Sequence, residues 1–333
     1  MSAESTDNRQ PPVSSLKPAV RRGWLYWVKR VVCDIIIGYA LICAGVFMLQ
    51  KRLVYMPEKD KEDNLSPRLF GFAPGQANAI ETRTPDNLTL HGWHVLGTRP
   101  GAVRDSSWST AAGVDLFFCG NAGNRSGRGD KFKRLARLGV DVACFDYRGY
   151  GDSEGSPDEE GLARDARAAW NYLRGQNVPA SSIVIHGESL GGGVAVRLAA
   201  ELCAENTPPA GLLLEATFPR LKAVAGLHYP YLPVALILTQ RFPSVERIPA
   251  LTCPLLMLHG TRDQIIPVAL GRELFDAAPE RAASGIKKEF VELPKCEHND
   301  IGFRNAEEYV VKVSGFYQQL FPALNATPVP HGG

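Results

Sequence analysis

Beyond about residue 75, the chain alternates short apolar runs with longer segments whose apolar residues recur at helical spacing. This alternation is typical of a mostly parallel sheet covered by helices on both faces. The predicted strands cover residues 88–96, 114–119, 140–146, 182–187, 210–216, 254–259 and 288–293. The predicted helices cover 130–138, 159–174, 190–204, 268–277 and a last helix that runs from Asn305, as its N-cap, to Leu320. The pattern therefore predicts a doubly wound α/β fold.

Residues 217–250 interrupt this alternation, because they are too long and too apolar for a plain loop. Long insertions of this kind are often lids over a binding site. We expect a lid that forms a pocket wall for an acyl chain or lipid. A packed helical insert without substrate contact is the alternative.

Near the N-terminus, residues 31–49 are apolar except for Asp34, and about twenty such residues span a bilayer. Aromatic residues at 24, 26 and 27 precede this stretch, where amphipathic rings favour the headgroup region, and Lys51 and Arg52 close it. We predict a single transmembrane anchor over residues 31–50. A cleaved signal peptide fits less well because no small-x-small site lies just before residue 50. A buried core helix is the other alternative.

Basic residues on the two sides of this segment balance, so the positive-inside rule gives no orientation. They are Lys17, Arg21, Arg22, Lys29 and Arg30 before it and Lys51, Arg52, Lys59, Lys61 and Arg68 after it. The side of the membrane that holds the catalytic region is left open. Around the anchor we expect a disordered and juxtamembrane tail over 1–30, a catalytic domain over 51–322 and a flexible tail over 323–333.

Composition fits one large α/β domain with an appendage, since 45% of the 333 residues are hydrophobic and 22% are charged. The net charge of +2 comes without a basic run interleaved with aromatics, which argues against nucleic acid as a partner. The seven cysteines form no C-x-x-C pair. His91 and His94 are spaced to lie on opposite faces of a strand. We therefore expect no metal and no organic cofactor.

The run from Ile183 to Gly193 predicts a buried strand, a sharp turn with one serine and a glycine-led helix start. This is the setting of a nucleophile elbow, in which a strained turn presents the serine hydroxyl clear of the backbone. Ser189 is therefore the candidate nucleophile. A second G-x-S-x-G pattern contains Ser153, but no apolar strand abuts it and Pro157 follows, which indicates a polar loop.

A serine hydroxyl needs a neighbouring base, and the base needs a carboxylate that fixes its tautomer. In sheets that carry this elbow, the three residues follow in the order serine, acid, histidine. Only His298 and His331 follow both Ser189 and Asp263, the acid favoured below. His331 lies in the proline- and glycine-rich tail, so His298 is the candidate base.

Two acids compete for the third position, and both lie at the carboxyl ends of predicted strands, where ligands of such sheets bind. Glu215 ends one strand, and Asp263 follows the next. We favour Asp263, because its strand leads by one helix and one strand to the loop of His298. Glu215 then supports the site or holds the lid, and Asp300 supports the loop.

The developing oxyanion must be met by fixed N–H donors. One is expected to be the backbone N–H of Leu190. The other should come from the loop after the strand 114–119, at Asn121 or Ala122. A phosphate cradle is the alternative for this glycine-rich loop, but it lacks the spaced glycines and lysine of a P-loop.

Taken together, several motifs between about residues 45 and 320 resemble the α/β-hydrolase superfamily. Within it, they are similar to the membrane-anchored α/β-hydrolase-domain-containing proteins of the bud-emergence type and the serine-aminopeptidase-like serine hydrolases. The motifs are Leu49-Gln50-Lys51-Arg52-Leu53-Val54-Tyr55-Met56-Pro57, Gly120-Asn121-Ala122-Gly123-Asn124, Asp146-Tyr147-Arg148-Gly149-Tyr150-Gly151-x-Ser153, Gly187-Glu188-Ser189-Leu190-Gly191-Gly192, His259-Gly260-x-x-Asp263 and Glu297-His298-Asn299-Asp300.

The resemblance implies an α/β-hydrolase fold with Ser189 as nucleophile, Asp263 as acid and His298 as base. It also implies that the loop of Asn121 forms part of the oxyanion hole. One departure is Cys119, where the group usually has histidine. This difference concerns the supporting hydrogen bonds of the loop.

The sequence thus predicts a membrane-anchored serine hydrolase that cleaves ester or thioester bonds of acylated or lipid-like substrates. Its expected partners are that substrate and the membrane, and the oligomeric state is left open. An amidase or peptidase of the same fold is the nearest alternative. A membrane-tethered scaffold without turnover is another, although three triad residues in the expected order argue against it.

Overall fold

The computed structural model describes residues 20–98 and 106–325. The chain divides between Met48 and Leu49 into two compact units. The first described element is helix α1 (Val20–Val54), which is apolar and long enough from Gly23 onward to cross a membrane. The helix begins before the predicted anchor, so residues 20–30 of the predicted tail are helical. The rest of that tail, the end of the C-terminal tail and His331 lie outside the described residues.

The second unit is built on an eight-stranded sheet, and nearly every side chain of its central strands is buried. The strands are β1 (Ala77–Arg83), β2 (Thr89–Val95), β3 (Val114–Phe118), β4 (Asp141–Phe145), β5 (Ile183–Glu188), β6 (Gly211–Glu215), β7 (Leu255–Gly260) and β8 (Glu289–Leu293). They lie in the order β8-β7-β6-β5-β3-β4-β2-β1. In this spatial order, every neighbouring pair from β8 as far as β4 is parallel. The predicted mostly parallel sheet is confirmed.

Strand β1 is the element that the apolar pattern missed. It pairs antiparallel with β2 over its whole length, from Ala77 opposite Val95 to Arg83 opposite Thr89. As an edge strand it is only half-buried, with Ile80 as its one large apolar residue. Its pairing with β2 therefore depends on the backbone ladder more than on an apolar face.

Helices cover the sheet in the predicted positions. After α1 they are α2 (Gly129–Arg137), α3 (Glu159–Gly175), α4 (Leu190–Ala204), α5 (Leu221–His228), α6 (Val234–Ile237), α7 (Ser244–Arg247), α8 (Val268–Ala277) and α9 (Ala306–Leu320). The insertion 217–250 thus holds three short helices. Short 3₁₀ turns occur at Glu62–Leu65, Pro67–Phe70, Trp108–Thr110, Arg125–Arg128, Ala180–Ser182, Ile248–Ala250 and Pro322–Leu324.

Asn305 occupies the N-cap position of α9 as expected, but its side chain does not cap the helix. Its Oδ1 lies 3.5 Å from the Sγ of Cys296, which donates to it. The loop before α9 therefore uses this amide to hold a buried cysteine.

Two loop segments form a small parallel pair outside the main sheet. Met56–Pro57, just after α1, pairs with Ala122–Gly123, in the loop that follows β3. Strands β3, β5 and β7 run in the same direction, so this loop, the elbow after β5 and the loop of Asp263 meet at one edge of the sheet.

Candidate active site

Ser189 lies between β5 and α4 in a backbone conformation that residues other than glycine rarely adopt, with φ of 54° and ψ of −116°. The turn is possible because its neighbours lack side chains: a Cβ on Gly187 would lie 2.5 Å from the carbonyl oxygen of Gly191. A Cβ on Gly191 would lie 2.1 Å from the carbonyl oxygen of Phe118. Strain of this kind persists only where the surroundings enforce it, and it is concentrated at functional sites.

The next strand holds the elbow in place. The Ser189 amide donates to the Glu215 carbonyl at 2.8 Å, and the Thr217 hydroxyl donates to the Ser189 carbonyl at 2.9 Å. Both polar groups of the strained residue are therefore satisfied by the chain just after β6.

The structure brings Ser189, His298 and Asp263 together in one hydrogen-bonded line. The Oγ of Ser189 lies 3.0 Å from Nε2 of His298, and Nδ1 of the same ring lies 2.7 Å from Oδ2 of Asp263. These distances are within reach for proton transfer between neighbouring groups. The three residues come from loops after β5, β7 and β8, as the order of the chain predicts.

Asp263 is fixed and kept ionised by its surroundings. Its Oδ1 accepts the amides of Ile265 and Ile266 at 2.9 and 2.7 Å. Burial alone raises the pKa of the carboxyl, but hydrogen bonds from His259, His298 and the Ile266 amide outweigh it and hold the pKa well below its usual range. A charged carboxylate is what an imidazolium on His298 needs as a partner.

The loop of His298 is held by Asp300, in the supporting position expected for it. Oδ1 of Asp300 accepts the Glu297 amide at 2.6 Å, and its other oxygen pairs with Arg304. The carboxylate thereby tightens the turn that presents the ring.

The loop from Gly120 to Asn124 lies against the elbow. A Cβ built on Gly120 would be 3.5 Å from Cβ of Ser189, so no side chain separates the two segments. The expected oxyanion donors of this loop are Asn121 and Ala122, which directly follow Gly120 in the chain. The other expected donor, Leu190, begins α4 immediately after the serine. Cys119, which replaces the usual histidine, has its Sγ 3.5 Å from that of Cys144.

Glu215 does not reach His298 or the insertion through any described hydrogen bond. It is buried under the elbow, where it accepts from Lys131 at 2.7 Å, lies 3.0 Å from Nε2 of His186 and accepts from the Tyr309 hydroxyl at 2.6 Å. This position is consistent with the expectation that Glu215 supports the site. Among the described residues, no side-chain hydrogen bond joins Glu215 to the insertion 217–250, as a role in holding the lid would require.

Lys131 connects this cluster to the residue before the serine. Its Nζ bridges the carboxylates of Glu188, at 2.5 Å, and Glu215. Burial opposes the charge of Lys131, but the two carboxylates outweigh that effect and raise its pKa. The reverse holds for Glu188: burial favours its neutral form, yet Lys131 and Arg128 lower its pKa well below its usual range.

Ser153 is placed as a structural residue. Its hydroxyl donates to the Asp146 carbonyl at 2.9 Å and accepts the His91 amide at 3.0 Å. Both bonds hold the loop after β4, and the side chain is buried.

A cavity of about 350 Å³ opens beside His298. Its lining combines charged and apolar residues, namely Ala122, Gly123, Gly127, Arg128, Lys131, Glu188, Glu215, Ala216, His298, Asn299, Ile301 and Phe303. Residues 217–250 do not line it, so the pocket wall expected from this insertion is not part of this cavity. Within residues 20–98 and 106–325, no group of three or more His, Cys, Asp and Glu side chains is arranged to hold a metal ion.

Comparison with known proteins gives a consistent picture. The family model described as serine aminopeptidase, S33, matches residues 116–246. An uncharacterized protein of Mycobacterium tuberculosis is 39% identical over 267 residues, which are 78% of this chain and 86% of that protein. The lysophosphatidylserine lipase ABHD12 of Danio rerio is 34% identical over 271 residues, 74% of this chain and 69% of the lipase.

Among solved structures, the Pyrococcus furiosus esterase Pf2001 matches with a TM-score of 0.60 at 20% identity. The match covers 80% of this chain and 97% of the esterase. At that identity the likeness concerns the fold alone.

Proposed function

Because the chain belongs to the α/β-hydrolase superfamily of serine hydrolases, we propose that Ser189, His298 and Asp263 form its catalytic triad and cleave acyl esters or thioesters. The observation that carries the proposal is the unbroken line of hydrogen bonds from the Ser189 hydroxyl through His298 to Asp263. Such a line activates a weak nucleophile at neutral pH, since the ring accepts the hydroxyl proton as attack begins.

In the first half of the reaction, Oγ of Ser189 attacks the acyl carbonyl carbon while Nε2 of His298 takes the hydroxyl proton. Asp263 stabilises the resulting imidazolium through Nδ1. The tetrahedral oxyanion is met by the backbone N–H of Leu190 and by an N–H of the loop after β3. His298 then protonates the leaving alcohol or thiol, and the acyl group stays on Ser189.

In the second half, water enters the vacated position and gives a proton to His298. The hydroxide attacks the acyl-enzyme, and the same N–H donors meet the second oxyanion. The ring returns the proton to Oγ as the acid leaves. The cycle needs no metal or organic cofactor.

Lipid-like substrates are supported by two observations. A relative at 34% identity is named a lysophosphatidylserine lipase, whose substrate joins an acyl chain to a charged headgroup. In the insertion 217–250, which we propose as a lid, Leu227, Tyr231 and Leu236 are more than half exposed. We propose that these exposed side chains contact the acyl chain of a lipid-like substrate.

We further propose that α1 anchors the enzyme in a membrane as a single span. The support is its length and its apolar composition, together with the exposure of its large side chains. A tether of this kind keeps the site near substrates that dissolve in the bilayer.

An amidase or peptidase is the second candidate, because the matching family model is described as serine aminopeptidase. An aminopeptidase must bind the ammonium group of its substrate. The two carboxylates that line the cavity, Glu188 and Glu215, are already paired with Arg128 and Lys131. This pairing favours the ester and thioester substrates.

The decisive experiment is labelling of the full chain with a fluorophosphonate probe. We expect covalent labelling of the native protein and of Ser153→Ala, and none of Ser189→Ala. Labelling that survives in Ser189→Ala rejects this serine as nucleophile. Absence of labelling in folded native protein favours a scaffold without turnover.

Substrate class is tested with a series of lysophospholipids and simple esters of increasing acyl length, beside aminoacyl amides. Higher kcat/KM with longer acyl chains is the expected result. A preference for short acyl groups contradicts a lipid substrate, and faster cleavage of the amides favours the peptidase.

A further inference from the structure

The chain just after α1 is bonded to the loop that carries the proposed oxyanion donors. We name residues 55–58 the post-helix segment and residues 120–124 the oxyanion loop. The Met56 amide donates to the Asn121 carbonyl at 2.9 Å, and the Glu58 amide donates to the Gly123 carbonyl at 3.2 Å. In the other direction, the Asn121 side chain donates to the Val54 carbonyl at 3.0 Å.

These bonds fix the direction of one particular peptide group. The carbonyl of Asn121 and the N–H of Ala122 belong to the same planar peptide unit, in which the two groups point in opposite directions when the bond is trans. Among the described residues no peptide bond is cis. Whatever holds the carbonyl of Asn121 therefore aims the N–H of Ala122.

Two donors hold that carbonyl. One is the Met56 amide, and the other is the hydroxyl of Tyr150, which donates to it at 2.8 Å. In a parallel pair, the backbone groups of successive residues point alternately toward the partner strand and away from it. The carbonyls of Asn121 and Gly123 point toward the post-helix segment, so the N–H of Ala122, which lies between them, faces away from it. Ala122 lines the cavity that also contains the ring of His298.

We infer that the post-helix segment, through the Met56 amide and together with Tyr150, positions Ala122 N–H as the second oxyanion donor. This inference rests on the proposed function, and it selects Ala122 over Asn121. Met56 and Tyr150 are positioning residues, since neither touches the substrate. The post-helix segment therefore holds the oxyanion loop in place, in addition to connecting α1 to the rest of the chain.

The physical reason for an effect on rate is preorganisation. A backbone donor stabilises an oxyanion strongly only when its direction is set before the charge develops, and loss of one donor costs on the order of a hundredfold to a thousandfold in kcat. A donor that is still present but poorly aimed loses part of this effect. Binding of the ground-state substrate depends little on it, so KM should change far less than kcat.

The experiment compares two substitutions at one position in the full chain. Met56→Pro removes the N–H that holds the Asn121 carbonyl, whereas Met56→Ala keeps it and removes only a side chain that is 54% exposed. Steady-state kinetics, melting temperature and circular dichroism are measured for both, with Ser189→Ala as the reference without nucleophile.

We expect Met56→Pro to lower kcat about tenfold to a hundredfold with KM within about twofold, and Met56→Ala to match the native protein. Native kcat in folded Met56→Pro, with Ser189→Ala inactive, overturns the inference and leaves the proposed function standing. Activity that persists in Ser189→Ala overturns both.

If Met56→Pro does not fold, Tyr150→Phe decides the question. This variant removes only the hydroxyl that donates to the Asn121 carbonyl and keeps the ring, which packs edge-on against Tyr147. A kcat lowered about threefold or more at unchanged KM supports the inference. A native kcat overturns it.

Discussion

Arg128 donates from Nη2 to Oε1 of Glu188, the residue before the proposed nucleophile, over 3.0 Å. The same guanidinium donates from Nη1 to the Ala122 carbonyl at 2.9 Å. One rigid, planar group therefore joins the elbow to the oxyanion loop, the two segments that we propose supply donors to the same oxygen atom. The planar guanidinium holds its two donors in a fixed fork, so it sets the spacing between the two acceptors, which the flexible stem of a lysine does not.

We predict that Arg128→Met lowers kcat about tenfold or more, because the loop and elbow lose the bridge that sets their spacing. Glu188 keeps Lys131 as a partner, so the stability cost should stay near about 1.5–3 kcal/mol, as for a single hydrogen bond to a charged group. Kinetics and urea unfolding measure the two effects. Arg137→Met, at the exposed end of α2, the helix that follows Arg128, is the matched control and should change neither. A native kcat in folded Arg128→Met contradicts the bridging role.

Asp263→Asn should reduce kcat by on the order of ten-thousandfold, because an amide can stabilise the wrong tautomer of His298 and cannot balance an imidazolium. KM and the melting temperature should change much less, since the two backbone amides that now bind Asp263 can bind an amide oxygen. Asp276→Asn, exposed on α8, serves as the control and should keep native activity. A loss below about tenfold in Asp263→Asn would point to a different acid, with Glu215→Gln as the next variant to measure.

Stability should decline on the alkaline side because of His186. Burial disfavours its charged form, but the charges of Asp115 and Glu215, with hydrogen bonds to both, outweigh burial and raise the pKa of His186 to about 9. A pKa raised in the folded state adds stability that is complete below about pH 6.5 and is lost as the pH rises through about 9. We expect the free energy of unfolding to fall by roughly 1–3 kcal/mol across this interval.

Urea unfolding at several pH values between 6 and 9.5 measures this slope. His186→Gln should be less stable at pH 6.5 and should have a flatter profile. His228→Gln, at an exposed position, should retain the native slope. An identical slope in His186→Gln would assign the pH dependence to other groups.

The elbow and the hydrogen-bonded line of Ser189, His298 and Asp263 could be predicted because each depends on local pattern or on chain order. A strand, a serine between glycines and a helix start leave little freedom for Ser189, and the order serine, acid, histidine leaves His298 with one competitor. Strand β1 could not be predicted in the same way, because its single large apolar residue gives no periodic signal.

The ion cluster beneath the elbow was also outside the reach of the sequence. Lys131 lies in an ordinary amphipathic helix, and its partners Glu188 and Glu215 are 57 and 84 residues further along the chain. Helix α2 packs against β2 and β4, and from there the side chain of Lys131 reaches the two carboxylates at the ends of β5 and β6. The contact between Met56 and the oxyanion loop could not be predicted either. It is made by backbone atoms, which are the same in every residue except proline.

Gly191→Ala should cost about 1–3 kcal/mol of stability and lower kcat as well, because the new Cβ would lie 2.1 Å from the Phe118 carbonyl oxygen and 2.5 Å from that of Cys119. Those carbonyls belong to the chain that leads into the oxyanion loop, so relief of the clash must move the loop away from the elbow. Gly315→Ala is the control with the opposite sign: its Cβ meets no atom within 4 Å, and alanine in the exposed interior of α9 should stabilise the fold by about 0.5–1 kcal/mol. If both variants shift the melting temperature in the same direction, or if Gly191→Ala keeps native kcat, then the close packing of the elbow against β3 does not set the geometry of the site.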